Sequence, residues 1–551
     1  MAEAARPIRA SVLIVGAGPV GMTMALDLAQ SGVDVAIVER RAADAEPRQR
    51  CNHISARTME IFRQVGVAGE IRDAGLPHDF PQDVTYVTSM VGYELCRIPI
   101  AARNDTFDSV GYADSGWPTP EPPHRCNQMY FEPILQRHIV EDDRIQQYYE
   151  TEIVAVSQDG DGVRAKGIAA DGTELTFEAD YLVGCDGGPS LVRKAIGAKF
   201  EGADALSRTR STFVRAPDLL KMLPHKPAWM TWFLNPDGWG NIVAMNGDDL
   251  WAFHLWMPPH LADFDDLEPE KAIRSAIGAD TEVEILNIDD WVGRRFVANK
   301  FRDRRIFICG DAAHLWVPFA GYGMNAGIAD AWTLSWQLAG AVKGWGGPRL
   351  LDGYDIERRP VTDQVSRHVM SIALSHFDVN FITNPPAELY LEGPEGDAMR
   401  AQAGRFFYDV NVGQFASSGL NFATYFEGSP IIAYDGVAAP AYDLTTYQPS
   451  TVPGCRTPHL WLPDGRSLYD AMGRDFALLR SDPTIDCAPL IEAADERGLP
   501  LRLVDIPAGG EDNPYDFKLV LSRPDQHVAW RGNAVPDDPA AVIALVSGAA
   551  Q

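Results

Sequence analysis

Near the amino terminus, "SVLIVGAGPVGMTMALDLAQSGVDVAIVERR" admits few folds. Val12 to Val15 form an unbroken apolar run, as a buried parallel strand does. Gly16, Gly18 and Gly21 follow in GxGxxG spacing with Pro19 among them, and a helical pattern runs through Met22–Gln30. A second strand, Val33–Val38, ends at Glu39. Gly16 suits a tight turn, Gly18 lets the backbone approach a pyrophosphate, and Gly21 lets the helix sit close to the sheet. The helix N-terminus offers free N–H groups and partial positive charge to phosphates, while Glu39 can accept ribose hydroxyls. A lone GxGxxG is weak, but enclosed in strand–turn–helix–strand and closed by an acid it specifies a dinucleotide. NAD and FAD both fit an unphosphorylated ribose at Glu39, whereas Arg40 and Arg41 next to it suit a 2′-phosphate.

Two further strand ends narrow the choice. "YLVGCDGGPSLVRKAIG", residues 181–197, runs from a short apolar strand into Asp186-Gly187, with Ser190 and Arg193 opening a helix. In "FICGDAAHLWVPFAGYGMNAGIADA", residues 307–331, the strand Ile306–Cys309 ends in Gly310-Asp311 before a glycine-rich loop and a helix. Together the three strand ends resemble the class A flavoprotein monooxygenases, the para-hydroxybenzoate hydroxylase and phenol hydroxylase family. The resemblance implies FAD, with Asp186 and Gly310 in its site and Asp311 on the ribityl chain. It implies that "PFAGYGMNAG" wraps the flavin ring: Gly321 and Gly323 bring N–H groups close, and Pro318 faces the substrate. The helix starting near Met324-Asn325 aims its positive end at the N1–C2=O edge, with Asn325 beside the ring.

Other segments carry the same likeness. "PRQRCNHISARTMEIFRQVGV" places Arg50 near the pyrophosphate or flavin and Arg57 at a helix start, and "HRCNQMYFEPIL" puts Gln128 where the family's glutamine touches FAD. "LLDGYDIERRPV" resembles the segment after the flavin-binding helix. The chain departs from the pattern at Thr333, where many relatives carry asparagine, and at His53, where glycine is expected. Asn52 stands where phenol hydroxylase carries an aspartate, so that residue's role does not transfer and Asn52 is only a pocket candidate.

No second GxGxxG exists, so NADH or NADPH is expected to bind transiently, as in the family, and the two-dinucleotide-domain layout of most Baeyer–Villiger flavoenzymes is excluded. The resemblance implies that FAD, reduced by NAD(P)H, captures O₂ as a C4a-hydroperoxide that hydroxylates an aromatic, phenolic substrate. The alternative is epoxidation or Baeyer–Villiger chemistry on a polycyclic or polyketide substrate. A non-catalytic FAD-fold binding protein would not need both the Gly310-Asp311 motif and the flavin loop, and no GWxWxIP stretch marks a halogenase.

The expected fold is α/β: a Rossmann-type FAD-binding domain (1–85, 105–200, 295–375) interleaved with an antiparallel-sheet substrate domain (86–104, 201–294). A helical or linker region (376–446) and a thioredoxin-like domain (447–551) follow. In the middle, "PAWMTWFLNPDGWGNIVAM" and "DDLWAFHLWM" alternate around an Asn-Pro-Asp-Gly turn. Trp232, His254 and Trp256 share parity and are candidates for one substrate-facing wall. His254 reads either as structural or as a group that hydrogen-bonds or deprotonates a phenol. The C-terminal region lacks CxxC, which excludes dithiol exchange there. The seven cysteines have no paired spacing, so a zinc site and a disulfide framework are not expected and a reducing cytoplasm is. A net charge of −28 without a basic block argues against nucleic acid, and no apolar run reaches membrane-spanning length. The expected partners are a small aromatic substrate, O₂ and, as is common in the family, a second copy of the chain.

Overall fold

The computed structural model describes residues 6–257, 261, 263–317, 321–377, 384–508 and 513–550. An eight-stranded sheet holds β1 (Ile8–Val15), β2 (Val35–Val38), β5 (Ile145–Tyr148), β8 (Glu174–Gly184), β15 (Ile306–Ile308), β14 (Arg302–Asp303) and the hairpin β6 (Thr151–Gln158) and β7 (Val163–Ala169). Its order is β14-β15-β8-β1-β2-β5, and β15, β8, β1, β2 and β5 run parallel. The carboxyl half of β1 and all of β2 and β15 are buried on both faces, which explains the unbroken apolar runs at Val12–Val15 and Val35–Val38. The helix Pro19–Gln30 begins three residues before the Met22 read from periodicity, because Pro19 occupies its first turn, where a missing N–H is harmless.

A second eight-stranded sheet runs β16-β13-β9-β12-β11-β10-β3-β4. Its strands are β3 (Val84–Val87), β4 (Glu94–Ile98), β9 (Phe200–Arg215), β10 (Met230–Asn235), β11 (Gly238–Ala244), β12 (Leu250–Trp256), β13 (Glu284–Ala298) and β16 (His314–Leu315). The aromatic segments form the expected antiparallel hairpins. Asn235 Oδ1 accepts from the backbone N–H of Asp237 and Gly238, closing the tight turn. Several expected boundaries fall inside strands: β3 spans 85/86, β9 begins at Phe200, and β13 continues past 294. Each of these strands belongs wholly to the second sheet, which therefore extends beyond the expected bounds.

The stretch expected as helical or linker is a packed element. Helix Pro394–Phe415 lies against β4, and its Phe407 stacks on Tyr86 at 5.0 Å. Beyond it, β17 (Phe476–Arg480), β18 (Leu501–Asp505), β19 (Leu519–Ser522) and β20 (Val528–Gly532) form a sheet in the order β18-β17-β19-β20. Only β17 and β18 are parallel, and helices Ala488–Arg497 and Pro539–Val546 complete this thioredoxin-like unit.

Candidate active site

The carboxyl ends of β1, β8 and β15 are neighbours in the first sheet, and their loops bond in succession. Gly16 N–H donates to Val38 O, Cys185 N–H to Val15 O, and Cys309 N–H to Gly184 O. Ligands of open α/β sheets bind at such strand ends. A Cβ on Gly16 would lie 2.3 Å from Cys185 O, and one on Gly21 would lie 2.0 Å from Gly16 O, so protein packing alone forbids both. A Cβ on Gly18 would meet nothing within 4 Å, so the bare backbone there faces a groove rather than protein. Glu39 accepts from Ala17 N–H at 2.9 Å and Arg41 N–H at 3.0 Å, one bond per oxygen, which fixes the glycine turn and leaves lone pairs for ribose hydroxyls.

Asp311 projects into the same groove beside Gly310, whose φ is +58°. Although its side chain is accessible along the groove, dense protein around it raises its carboxyl pKa, opposed by His314, Arg50 and Arg48. Arg48, which sequence reasoning passed over in "PRQR", is crowded by protein and by the like charges of Arg50 and Arg41, and its pKa falls. Three guanidinium groups beside a bare glycine turn and a helix N-terminus fit a pyrophosphate, so the residues present suit FAD. Arg50 also pairs with Asp289 of β13 at 3.4 Å, and Arg40 is exposed.

The structure gives several candidate side chains protein partners. Asp186 accepts from Ser190 Oγ at 2.5 Å and Val192 N–H at 3.1 Å, so its carboxylate caps the helix Leu191–Ala195. In that helix Arg193 donates to Ala312 O, tying this turn to the one that carries Asp311. Gln128 is buried and donates to Glu132, and Asn52 accepts from Asn127 Nδ2. Asn325 donates to His53 O and Gly321 O and accepts from Ser55 N–H. Its amide thus fastens the helix Tyr322–Lys343 to the segment around His53 rather than projecting freely into the groove. That helix begins at Tyr322, two residues before the expected Met324; Met324 itself packs against the first core. Its cap, Gly321, has φ +66°, and a Cβ there would sit 3.1 Å from His53 Cβ. A Cβ on Gly323 would reach only Trp316 Nε1, at 3.6 Å. Pro318 lies outside the described residues.

Beneath the Gly310-Asp311 turn is a group that the sequence reading missed. Asp330, fully buried, accepts from Gly310 N–H at 3.2 Å and Arg358 Nε at 2.8 Å, and bonds His314 Nε2 at 2.7 Å. Burial would raise its carboxyl pKa, but Arg358 and His314 hold it below the ordinary range. One carboxylate thereby joins β16, the flavin-loop helix and the helix Asp352–Phe377. Its sequence signal was the acid in "GIADAW", inside an otherwise apolar helix face.

On the second sheet, register places Tyr86, Trp232, Asn241, His254 and Ser211 in one row across β3, β10, β11, β12 and β9. Trp256 lies two residues from His254 on the same face, stacks on Trp239 at 4.6 Å and lies 5.3 Å from Trp232. The shared parity expected of Trp232, His254 and Trp256 is present. This face shares its apolar cluster with Val317, Tyr322 and Trp316, which flank the flavin loop. Burial lowers the His254 pKa to about 4, so the ring is neutral at pH 7 and a weak base. A cavity of about 20 Å³ among Tyr86, Trp232, Trp239 and Phe407 holds at most one water.

Comparison with known proteins agrees with this geometry. Residues 9–369 match the family described as "FAD binding domain", and residues 450–550 match "Aromatic-ring hydroxylase, C-terminal". The chain belongs to the class A FAD-dependent aromatic-ring hydroxylases. The 2,4-dichlorophenol 6-monooxygenase of Delftia acidovorans is 30% identical over 96% of this chain and 96% of its own. Among solved structures, RebC with bound 7-carboxy-K252c has a TM-score of 0.89 at 33% identity, covering 99% of this chain and 100% of that one. Aklavinone-11 hydroxylase in complex with FAD and aklavinone has a TM-score of 0.81 at 26% identity, covering 98% and 99%. Among the described residues no group of side chains suited to a metal ion occurs, and no helix is long and apolar enough to cross a membrane.

Proposed function

We propose that this hydroxylase uses NADH or NADPH and O₂ to add a hydroxyl group to a phenolic substrate held against the Trp232–Trp256 face, as a cytoplasmic enzyme. The observation that carries the reading is that Gly18, Glu39, Arg48, Arg50 and Asp311 gather at the strand ends, while the aromatic face shares one apolar cluster with Val317 and Tyr322 beside the flavin loop. Glu39 would hold the adenosine ribose, the arginines and the N-terminus of Pro19–Gln30 the pyrophosphate, and Asp311 the ribityl chain. FAD bound there supplies the reduction by nicotinamide and the activation of O₂. The chain's own part is to place the ring and keep water away. The buried Trp232 and Trp256 present an apolar wall, and the neutral His254 donates a hydrogen bond rather than removing a proton.

One relative is named 2,4-dichlorophenol 6-monooxygenase, and one similar structure holds FAD and aklavinone. The test is NAD(P)H oxidation by the purified yellow protein across a panel of phenols and naphthols, with product analysis. Substrate-stimulated oxidation with stoichiometric hydroxylated product supports the reading. A flavin that NAD(P)H cannot reduce, or reduction that never yields oxygenated product, defeats it.

A further inference from the structure

Among the described residues, the buried Asn241 Oδ1 on the aromatic face has no hydrogen-bond partner. Asn241 is 7% exposed, lies in mid-strand, and stands directly between Trp232 and His254 across the sheet. Leaving such an atom unsatisfied is costly, and a structural asparagine would avoid that cost by pairing. A partner is therefore expected from outside the chain.

His254 stands beside it, and its polarity can be deduced. Ser211 Oγ accepts from Trp291 Nε1 at 2.9 Å and lies 2.7 Å from His254 Nδ1. With one lone pair of the hydroxyl taken by the indole, the arrangement that satisfies every proton has Ser211 O–H donating to Nδ1. The neutral ring then carries its proton on Nε2. The row so presents an acceptor, Asn241 Oδ1, next to a donor, His254 Nε2–H, on cross-strand neighbours whose Cβ atoms are about 5 Å apart. A single hydroxyl group can bridge such a pair.

Resting on the reading of this face as the substrate wall, we propose that Asn241 and His254 form a two-point anchor for one neutral hydroxyl group on an aromatic substrate. The substrate oxygen accepts a hydrogen bond from His254 Nε2–H, and its O–H donates one to Asn241 Oδ1. The row Tyr86–Trp232–Asn241–His254–Ser211 carries no cation, and Arg50 at its end is already paired with Asp289, so a carboxylate beside Asn241 would lack a free counter-ion and is selected against.

The experiment titrates the FAD-containing holoenzyme with 2-naphthol, 2-methoxynaphthalene and 2-naphthoate, following the flavin absorbance. 2-Naphthol is expected to bind tightest and 2-naphthoate weakest. Asn241→Leu should weaken 2-naphthol about 10-fold or more while changing 2-methoxynaphthalene, which has no proton to donate, less than 2-fold. His254→Phe should weaken both, since both offer an oxygen acceptor, and it carries the test should Asn241→Leu fail to retain flavin. Equal loss of both ligands in Asn241→Leu, tighter binding of 2-naphthoate, or no binding of any probe to the unmodified enzyme would overturn the anchor. Flavin reduction by NAD(P)H is a separate readout: its failure counts against the hydroxylase reading and not against the anchor.

Discussion

Gly16 and Gly18 sit two residues apart and answer to different constraints. A methyl group on Gly16 collides with Cys185 O and must adopt φ +109°, whereas one on Gly18 enters the groove without touching protein. Gly16→Ala is therefore expected to lower the thermal midpoint of the FAD-free protein, and Gly18→Ala to leave it unchanged while reducing FAD retained on purification. Thermal melts and the flavin-to-protein absorbance ratio separate the two. Ser211 makes a second residue-scale test, because it acts through His254. Ser211→Ala removes the donor to Nδ1, frees the tautomer, and should raise KM for a phenolic substrate several-fold with a smaller change in kcat. Ser211→Thr, which keeps the hydroxyl, should restore KM; a threonine variant no better than alanine would mean that the hydroxyl does not set the ring.

At the scale of elements, the helix Tyr322–Lys343 is held by two side chains that never leave the protein. Asn325 pins its first turn to the His53 segment, and Asp330 pins its next turn to Gly310, His314 and Arg358. Removing the Asp330 charge leaves the Arg358 guanidinium buried without its counter-ion. Breaking a buried pair in this way costs roughly 3–5 kcal/mol. Asp330→Asn is accordingly expected to shift the urea midpoint downward and to lose FAD, although Asp330 lies beneath the groove rather than in it. A variant with wild-type stability and full flavin would remove Asp330 from the account of how Asp311 is positioned.

Across the whole molecule, the C-terminal unit is bolted to the FAD-binding part by buried charge. Arg523 pairs with Glu357 at 2.6 Å and Asp525 at 2.5 Å, all three fully inaccessible to solvent, and Arg456 pairs with Glu60 at 2.5 Å. Asp27 receives both Arg474 and Ser335, and Arg57 reaches Asp525 O and Gln526. Arg523→Ala leaves Glu357 and Asp525 facing each other, and calorimetry should show an early transition of the C-terminal unit where the native protein melts once. Acid should act there too. Burial lowers His459 and His527 from 6.5 to about 4, so between those values the unfolded chain binds protons that the folded chain does not. Stability then falls as pH drops from about 6.5 toward 4. His459→Gln is expected to make that decline in urea midpoint shallower. The dinucleotide turn, the three strand ends and the aromatic hairpins were readable in the sequence because each depends on local spacing: a glycine at a fixed step, an acid at a strand end, a period of two. The partners of Asp330, the capping task of Asp186, the arginine cluster around Arg48 and the bolts of the C-terminal unit join residues far apart in the chain. Folding brings them together because a buried charge or amide must find a partner wherever the backbone places one, and no local pattern records which it finds.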